Sequence, residues 1–199
     1  IKHVRENLGE RAMAGFGGSY LTGSPWAGVL LAGLSGAALA SLHGMVCSLP
    51  RVNDIAMGIA LMLLGAGLAF YLGKGLIQPQ AAQIPSIPLG FWSDSPNVQA
   101  ALKVNALFPL GVALALLMGW AFANTRWGLL VRMVGDSADA AKALGTSVNG
   151  VRVAATTAGG FIAGLGGASL SLYYPGSWNE GLSSGQGLIA VALVIFARW

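Results

Sequence analysis

The chain has 199 residues, 55% of them hydrophobic and only 9% charged, with a formal net charge of +4 and a mean hydropathy of +0.67. A soluble domain carries about 25% charged residues, so this chain lacks the polar surface that would cover a core in water, and a lipid bilayer removes that need. One cysteine, Cys47, excludes a disulfide framework within the chain, and no basic run with interleaved aromatics points to nucleic acid as a partner.

The amino-terminal stretch 8–21 is rich in glycine and carries Glu10 and Arg11, and it reads as a marginal or partial span. Residues 26–49 form a run of 24 residues without a formal charge, closed by Pro50 and Arg51. That run crosses a hydrocarbon core of about 30 Å. Residues 55–72 form a second run, between Asp54 and Lys74. Residues 107–123 form a third, closed by Asn124, Thr125 and Arg126, and residues 153–174 a fourth, preceded by Arg152. Residues 188–197 are apolar but too short to span. The short runs at the two ends lead us to expect further helices on either side in a parent protein. The thirty glycines fit membrane helices that associate by close contact, since lipid is as apolar as leucine and burial alone barely drives helices together.

Two long loops separate these runs. Residues 75–104 contain QPQAAQIPSIPLGFWSDSPN, whose four prolines forbid a continuous helix, and Phe91 and Trp92 suit a membrane interface. The other loop is 126–152. Alternating the spans puts Arg51, Arg126, Arg132, Lys142 and Arg152 on one side and Lys74 and Lys103 on the other. The positive-inside rule then makes the side of the second loop cytoplasmic.

Within that loop, GDSADAAKALG at 135–145 gathers two carboxylates and a lysine in a chain poor in charge. The spacing predicts a short helix. Asp136 or Ser137 caps its first turn, Asp139 sits near the positive end of the dipole, Lys142 near the negative end, and Gly145 stops it. The helix is either a solvated connector or a smooth alanine face for the groove of another protein.

These residues carry a family resemblance. VRMVGDSADAAKALGTSVNGVRVAATTAGGFIAGLGGASLSL resembles the central segment of ABC-importer permeases of the branched-chain amino acid and ribose type. Arg132, Gly135, Ala140, Ala141 and Gly145 fall on that family's loop pattern, and Ala163, Gly164 and Gly167 on its helix pattern. YYPGSWNEGLSSGQGLIAVALVIFARW, VNDIAMGIALMLLGAGLAFYLGK and TGSPWAG are similar to the nucleoside branch, whose members work beside basic-membrane-lipoprotein binding proteins. The resemblance begins near Asn7. NLGERAMAGFGG departs from the family's usual opening, and IKHVRE before it has no counterpart.

The resemblance implies an all-α polytopic transmembrane bundle with a cytoplasmic coupling helix, forming one permease domain over 1–199 that is incomplete at both ends. It implies a multi-pass protein of the cytoplasmic or inner membrane that performs no bond chemistry and needs no cofactor of its own, ATP being bound by partner subunits. The implied partners are a second permease subunit, two ABC ATPase subunits and an extracytoplasmic substrate-binding lipoprotein. Arg132, Gly135, Asp136, Ala140, Ala141 and Gly145 would form the ATPase contact. Nucleosides are the implied cargo, with sugars and branched-chain amino acids as alternatives. A non-ATP secondary transporter and a polytopic membrane enzyme are the competing classes, and the carboxylates, histidines and cysteine are too scattered for the enzyme.

Polar residues in or beside the spans are the candidates for a translocation path. Glu10 lines a pore or pairs with Arg11. Asn53 and Asp54 cap the following span or contribute to the path. Trp178, Asn179 and Glu180 line an outer gate, contact the binding protein, or belong to an interfacial loop. His43 reads as an interhelical hydrogen-bonding residue, with no second ligand at metal spacing. Thr156 and Thr157 bond back to helix carbonyls or to a neighbouring helix. Gly159, Gly160, Gly164, Gly166 and Gly167 read as helix-packing faces, since they lie in an apolar run and no P-loop lysine follows.

Overall fold

A computed structural model describes residues 8–74, 84–88, 97, 103–172, 189–190, 192–193 and 196. The described residues form seven helices of four residues or more: α1 (Leu8–Thr22), α2 (Pro25–Cys47), α3 (Asp54–Gly73), α4 (Leu107–Asn124), α5 (Arg126–Asp136), α6 (Ala138–Ala143) and α7 (Val148–Leu172). Two three-residue strands, β1 (Ser86–Pro88) and β2 (Lys103–Asn105), pair antiparallel with Ile87 opposite Val104. The α2, α3, α4 and α7 helices are long and apolar enough to cross a membrane. The all-α transmembrane architecture expected from the sequence is the architecture found, and the chain is a multi-pass membrane protein.

The centre is a three-helix kernel of α1, α2 and α7, with α3 laid against α1. Glycine and alanine bring the kernel backbones together. A methyl group on Gly160 of α7 would meet the Ala40 methyl and lie 2.5 Å from the Gly36 carbonyl oxygen on α2. One on Gly164 would meet the Ala32 carbonyl oxygen and lie 2.8 Å from Gly33 Cα. Phe161 in turn lies over Gly33, 2.7 Å from where a side chain would begin. Around these contacts Met13, Phe16, Val29, Ala32, Ala168 and Leu172 form the main apolar core.

One sequence expectation is sharpened here and another changes. The stretch 8–21 reads as a marginal or partial span, and α1, at 15 residues, is not among the helices long enough to cross, but Met13 and residues 15–19 are buried and Phe16 is fully enclosed. Its glycines lower its hydropathy because they are contact surface. The stretch 126–152 reads as a loop around one short helix, yet 126–136 is itself helical and α7 starts at Val148, one turn before Arg152. Packing against α6 and α7 supports α5 despite its charges.

The two ends of the kernel are tied differently. At one end the Ile84 amide donates to the Leu172 carbonyl at 3.0 Å, holding the proline-rich segment to the end of α7. At the other, the Asn149 side-chain amide donates to the Ser48 carbonyl at 3.4 Å, joining the start of α7 to the end of α2.

Candidate functional site

The segment from Thr125 to Asn149 is a chain of caps. The Thr125 hydroxyl donates to the Ala121 carbonyl at 2.6 Å and accepts from the Gly128 amide at 3.1 Å, so one side chain ends α4 and starts α5. Ser137 has extended backbone, and its hydroxyl accepts from the Ala140 amide at 3.2 Å, which starts α6. Asp136 is the last residue of α5 and is not the cap. Asp139 lies in the first turn of α6 and Lys142 in the last, with Lys142 Nζ 3.9 Å from Asp139 Oδ1. Both are exposed, so the pair is a weak contributor.

The end of α6 is a Schellman motif. Thr146 N–H donates to the Ala141 carbonyl at 3.0 Å and Gly145 N–H to the Lys142 carbonyl at 2.9 Å. Gly145 takes φ 78°, a conformation that costs glycine nothing and other residues strain. The Ser147 hydroxyl then accepts from the Gly150 amide at 3.3 Å in the first turn of α7.

Packing divides the proposed contact residues. Ala141 is fully buried, clustered with Val134 of α5 and Val148 and Val151 of α7. Its face of α6 is turned to its own chain. Arg132, Gly135, Asp136, Ala140 and Gly145 are exposed, as is Leu144, an apolar side chain 73% open. The result is a one-and-a-half-turn helix clamped by an alanine onto the foot of a 25-residue spanning helix.

The other candidates are dispersed. Asn53 caps α3, its side-chain oxygen accepting from the Ile55 and Ala56 amides at 2.9 and 3.2 Å, and Asp54 is the first helical residue. Glu10 lies in the first turn of α1, and Trp178, Asn179 and Glu180 lie outside the described residues. Thr156 and Thr157 donate to the Arg152 and Val153 carbonyls, both at 2.8 Å. Cys47 lies 3.6 Å from His43 Nε2, one turn apart on α2. Among the described residues, no three His, Cys, Asp or Glu side chains gather as metal ligands.

The α4 helix stands apart from the kernel. Leu107 is its one buried residue, and two clefts of about 550 and 540 Å³ run between it and α7. Gly160, Gly164 and Gly167 are buried, but nothing lies within 4 Å of a methyl group placed on Gly159 or Gly166. Those two glycines are therefore open surface here, unlike the packing faces expected of them. No sequence signal located the clefts, because α4 and α7 are both continuous apolar runs.

Residues 7–199 match the family model described as the branched-chain amino acid transport system / permease component. The chain belongs to this family. It is 33% identical over 193 residues to a putative glucose ABC transporter permease protein, TsgC13, of Haloferax volcanii, covering 94% of this chain and 59% of that one. It is 30% identical over 183 residues to the nucleoside ABC transporter permease protein NupC of Lactococcus lactis, covering 88% and 57%. It is 28% identical over 193 residues to the guanosine ABC transporter permease protein NupQ of Bacillus subtilis, covering 92% and 60%. The chain thus spans about three fifths of the length of these relatives. No solved structure matches it.

Proposed function

We propose that the chain is part of the permease subunit of an ATP-driven ABC importer for nucleosides, and that α6 is its coupling helix. The observation that carries this reading is the clamp of Ala141 against Val134, Val148 and Val151, which joins an exposed connector rigidly to a spanning helix. Transport of this kind is rigid-body switching between two states, and such an element converts an external push into helix motion. The names of two relatives support nucleosides as cargo, while the name of a third supports a sugar and the family's description mentions branched-chain amino acids.

In this reading ABC ATPase subunits bind below α6, a second permease subunit completes the path, and a substrate-binding lipoprotein delivers cargo on the opposite side. ATP is bound by the partners, and this chain forms and breaks no bonds. The side carrying Arg51, Arg126, Arg132, Lys142 and Arg152 faces the cytoplasm. Arg132, Gly135, Asp136, Ala140 and Gly145 stand toward the ATPase with Leu144, and Ala141 acts from behind by positioning them. Glu10, Asn53, Asp54, Trp178, Asn179 and Glu180 remain path candidates, and capping accounts for Asn53 without a transport role.

The test is uptake of radiolabelled guanosine and glucose by vesicles carrying the full assembly, loaded with ATP inside. Guanosine uptake that requires ATP and the binding protein supports the reading. Uptake of glucose alone moves the cargo to sugars, and uptake indifferent to ATP removes the importer reading altogether.

A further inference from the structure

We propose that the cleft between α4, α5 and α7 is a phospholipid site, holding one acyl chain of an anionic lipid from the leaflet on the α6 side with its phosphate on Arg152. This inference rests on the membrane location of the chain and is independent of its cargo. The cleft, of about 540 Å³, is walled by apolar groups including Phe122, Val131, Ala154, Ala158 and Gly159. The Thr125 hydroxyl that also lines it is committed to the Ala121 carbonyl and the Gly128 amide. A trough walled almost wholly by apolar groups suits a hydrocarbon tail.

Its length matches one leaflet. The α7 wall runs from Val151 to Ile162, about 16 Å of helix rise, or half of a hydrocarbon core of roughly 30 Å. Met118 and Ile162 line both this cleft and the second cleft beyond it, so the two follow one another along α4 and α7.

One end of the cleft is cationic. A smaller pocket of about 270 Å³ shares Val131, Val151 and Ala155 with it and is lined by Arg152 and Thr156. Arg126 and Arg132 stand on α5, next in sequence to the lining residues Trp127 and Val131. Among the described residues no carboxylate pairs with any of these three arginines, whereas Lys142 is engaged by Asp139. Guanidinium groups donate paired hydrogen bonds to phosphate oxygens, and cations at the membrane surface favour anionic headgroups. Trp127, 64% exposed at the mouth of the cleft, is of the type that anchors at the headgroup level.

The experiment is native mass spectrometry of the full assembly, released from nanodiscs containing equal phosphatidylglycerol and phosphatidylcholine, with the lipids retained after mild delipidation counted. The site predicts preferential retention of phosphatidylglycerol. Arg152→Gln should cut that preference about fivefold, the effect of one interfacial cation, and Arg152→Lys should largely keep it. Gly159→Leu should lower retention of both lipids in an intact assembly, and Gly67→Leu, at an equally open glycine on α3, should leave it unchanged. Equal retention of the two lipids by the wild type, or an unaltered preference in Arg152→Gln, overturns the proposal. So does collapse of the assembly by Gly159→Leu but not Gly67→Leu, which would show a protein helix in the cleft.

Discussion

Helix α1 and helix α4 invert the usual relation between apolarity and burial. The α4 helix is an apolar run with only Leu107 buried, and Phe108, Leu116 and Trp120 stand open. The α1 helix is glycine-rich, carries Glu10 and Arg11, and is enclosed from Met13 to Ser19 apart from a half-buried Ala14. In water the more apolar helix would be the inner one. In a bilayer lipid competes equally for apolar surface, so large side chains are left facing lipid or partners, and small residues mark where backbones meet.

The sharpest way to break this comparison is to place equal bulk in the two regions. Gly164→Leu pushes a side chain into the Ala32 carbonyl, backbone that has no room to yield. We expect a loss of about 3 kcal/mol or more, read as failure to recover folded protein in a detergent unfolding titration. Gly111→Leu on α4, where nothing lies within 4 Å, should change stability by less than about 0.5 kcal/mol. Equal effects would erase the distinction between kernel and periphery.

Removing bulk gives the next largest contrast. Phe16→Ala leaves a void at a large, fully buried side chain of the kernel and should cost about 3 kcal/mol. Leu116→Ala, at a side chain 72% exposed, should cost well under 1 kcal/mol, since lipid fills the space. Both are measurable in the same titration.

The smallest expected effect lies outside both regions. Ser137→Ala removes the cap of α6 and should cost about 1 kcal/mol, seen as faster backbone hydrogen exchange confined to residues 138–143. Exchange unchanged there would mean that the Ala141 contact, and not the cap, holds the helix.

The same inversion explains what the sequence disclosed and what it hid. Residues 26–49, 55–72 and 107–123 are legible as spans because length and charge-free composition suffice, and the helices found begin and end within two residues of those limits. The stretch 8–21 is legible as a marginal or partial span, but its enclosure is not, because Gly15 and Gly18 depress hydropathy where they make contact. The α5 helix is missed because Arg126 and Arg132 give 126–136 the appearance of a loop, although Val131 and Val134 lie on one side of it. At α6 the capping chemistry of Ser137, Asp139, Lys142 and Gly145 is local and therefore readable. The inward turn of Ala141 is not, because alanine at 138, 140, 141 and 143 marks no face. Gly159 and Gly166 share that difficulty, since a helix made of small residues on every side does not announce which side is occupied.

The central claim is that the outer face of α6 receives the force of ATP hydrolysis while Ala141 passes it into α7. The direct measurement is substrate-stimulated ATP hydrolysis by the reconstituted assembly carrying Ala140→Glu or Leu144→Glu, both on exposed positions. We predict that the permease keeps its unfolding midpoint while ATPase subunits fail to co-purify and stimulation is lost. Normal stimulation with either glutamate in place would contradict the account.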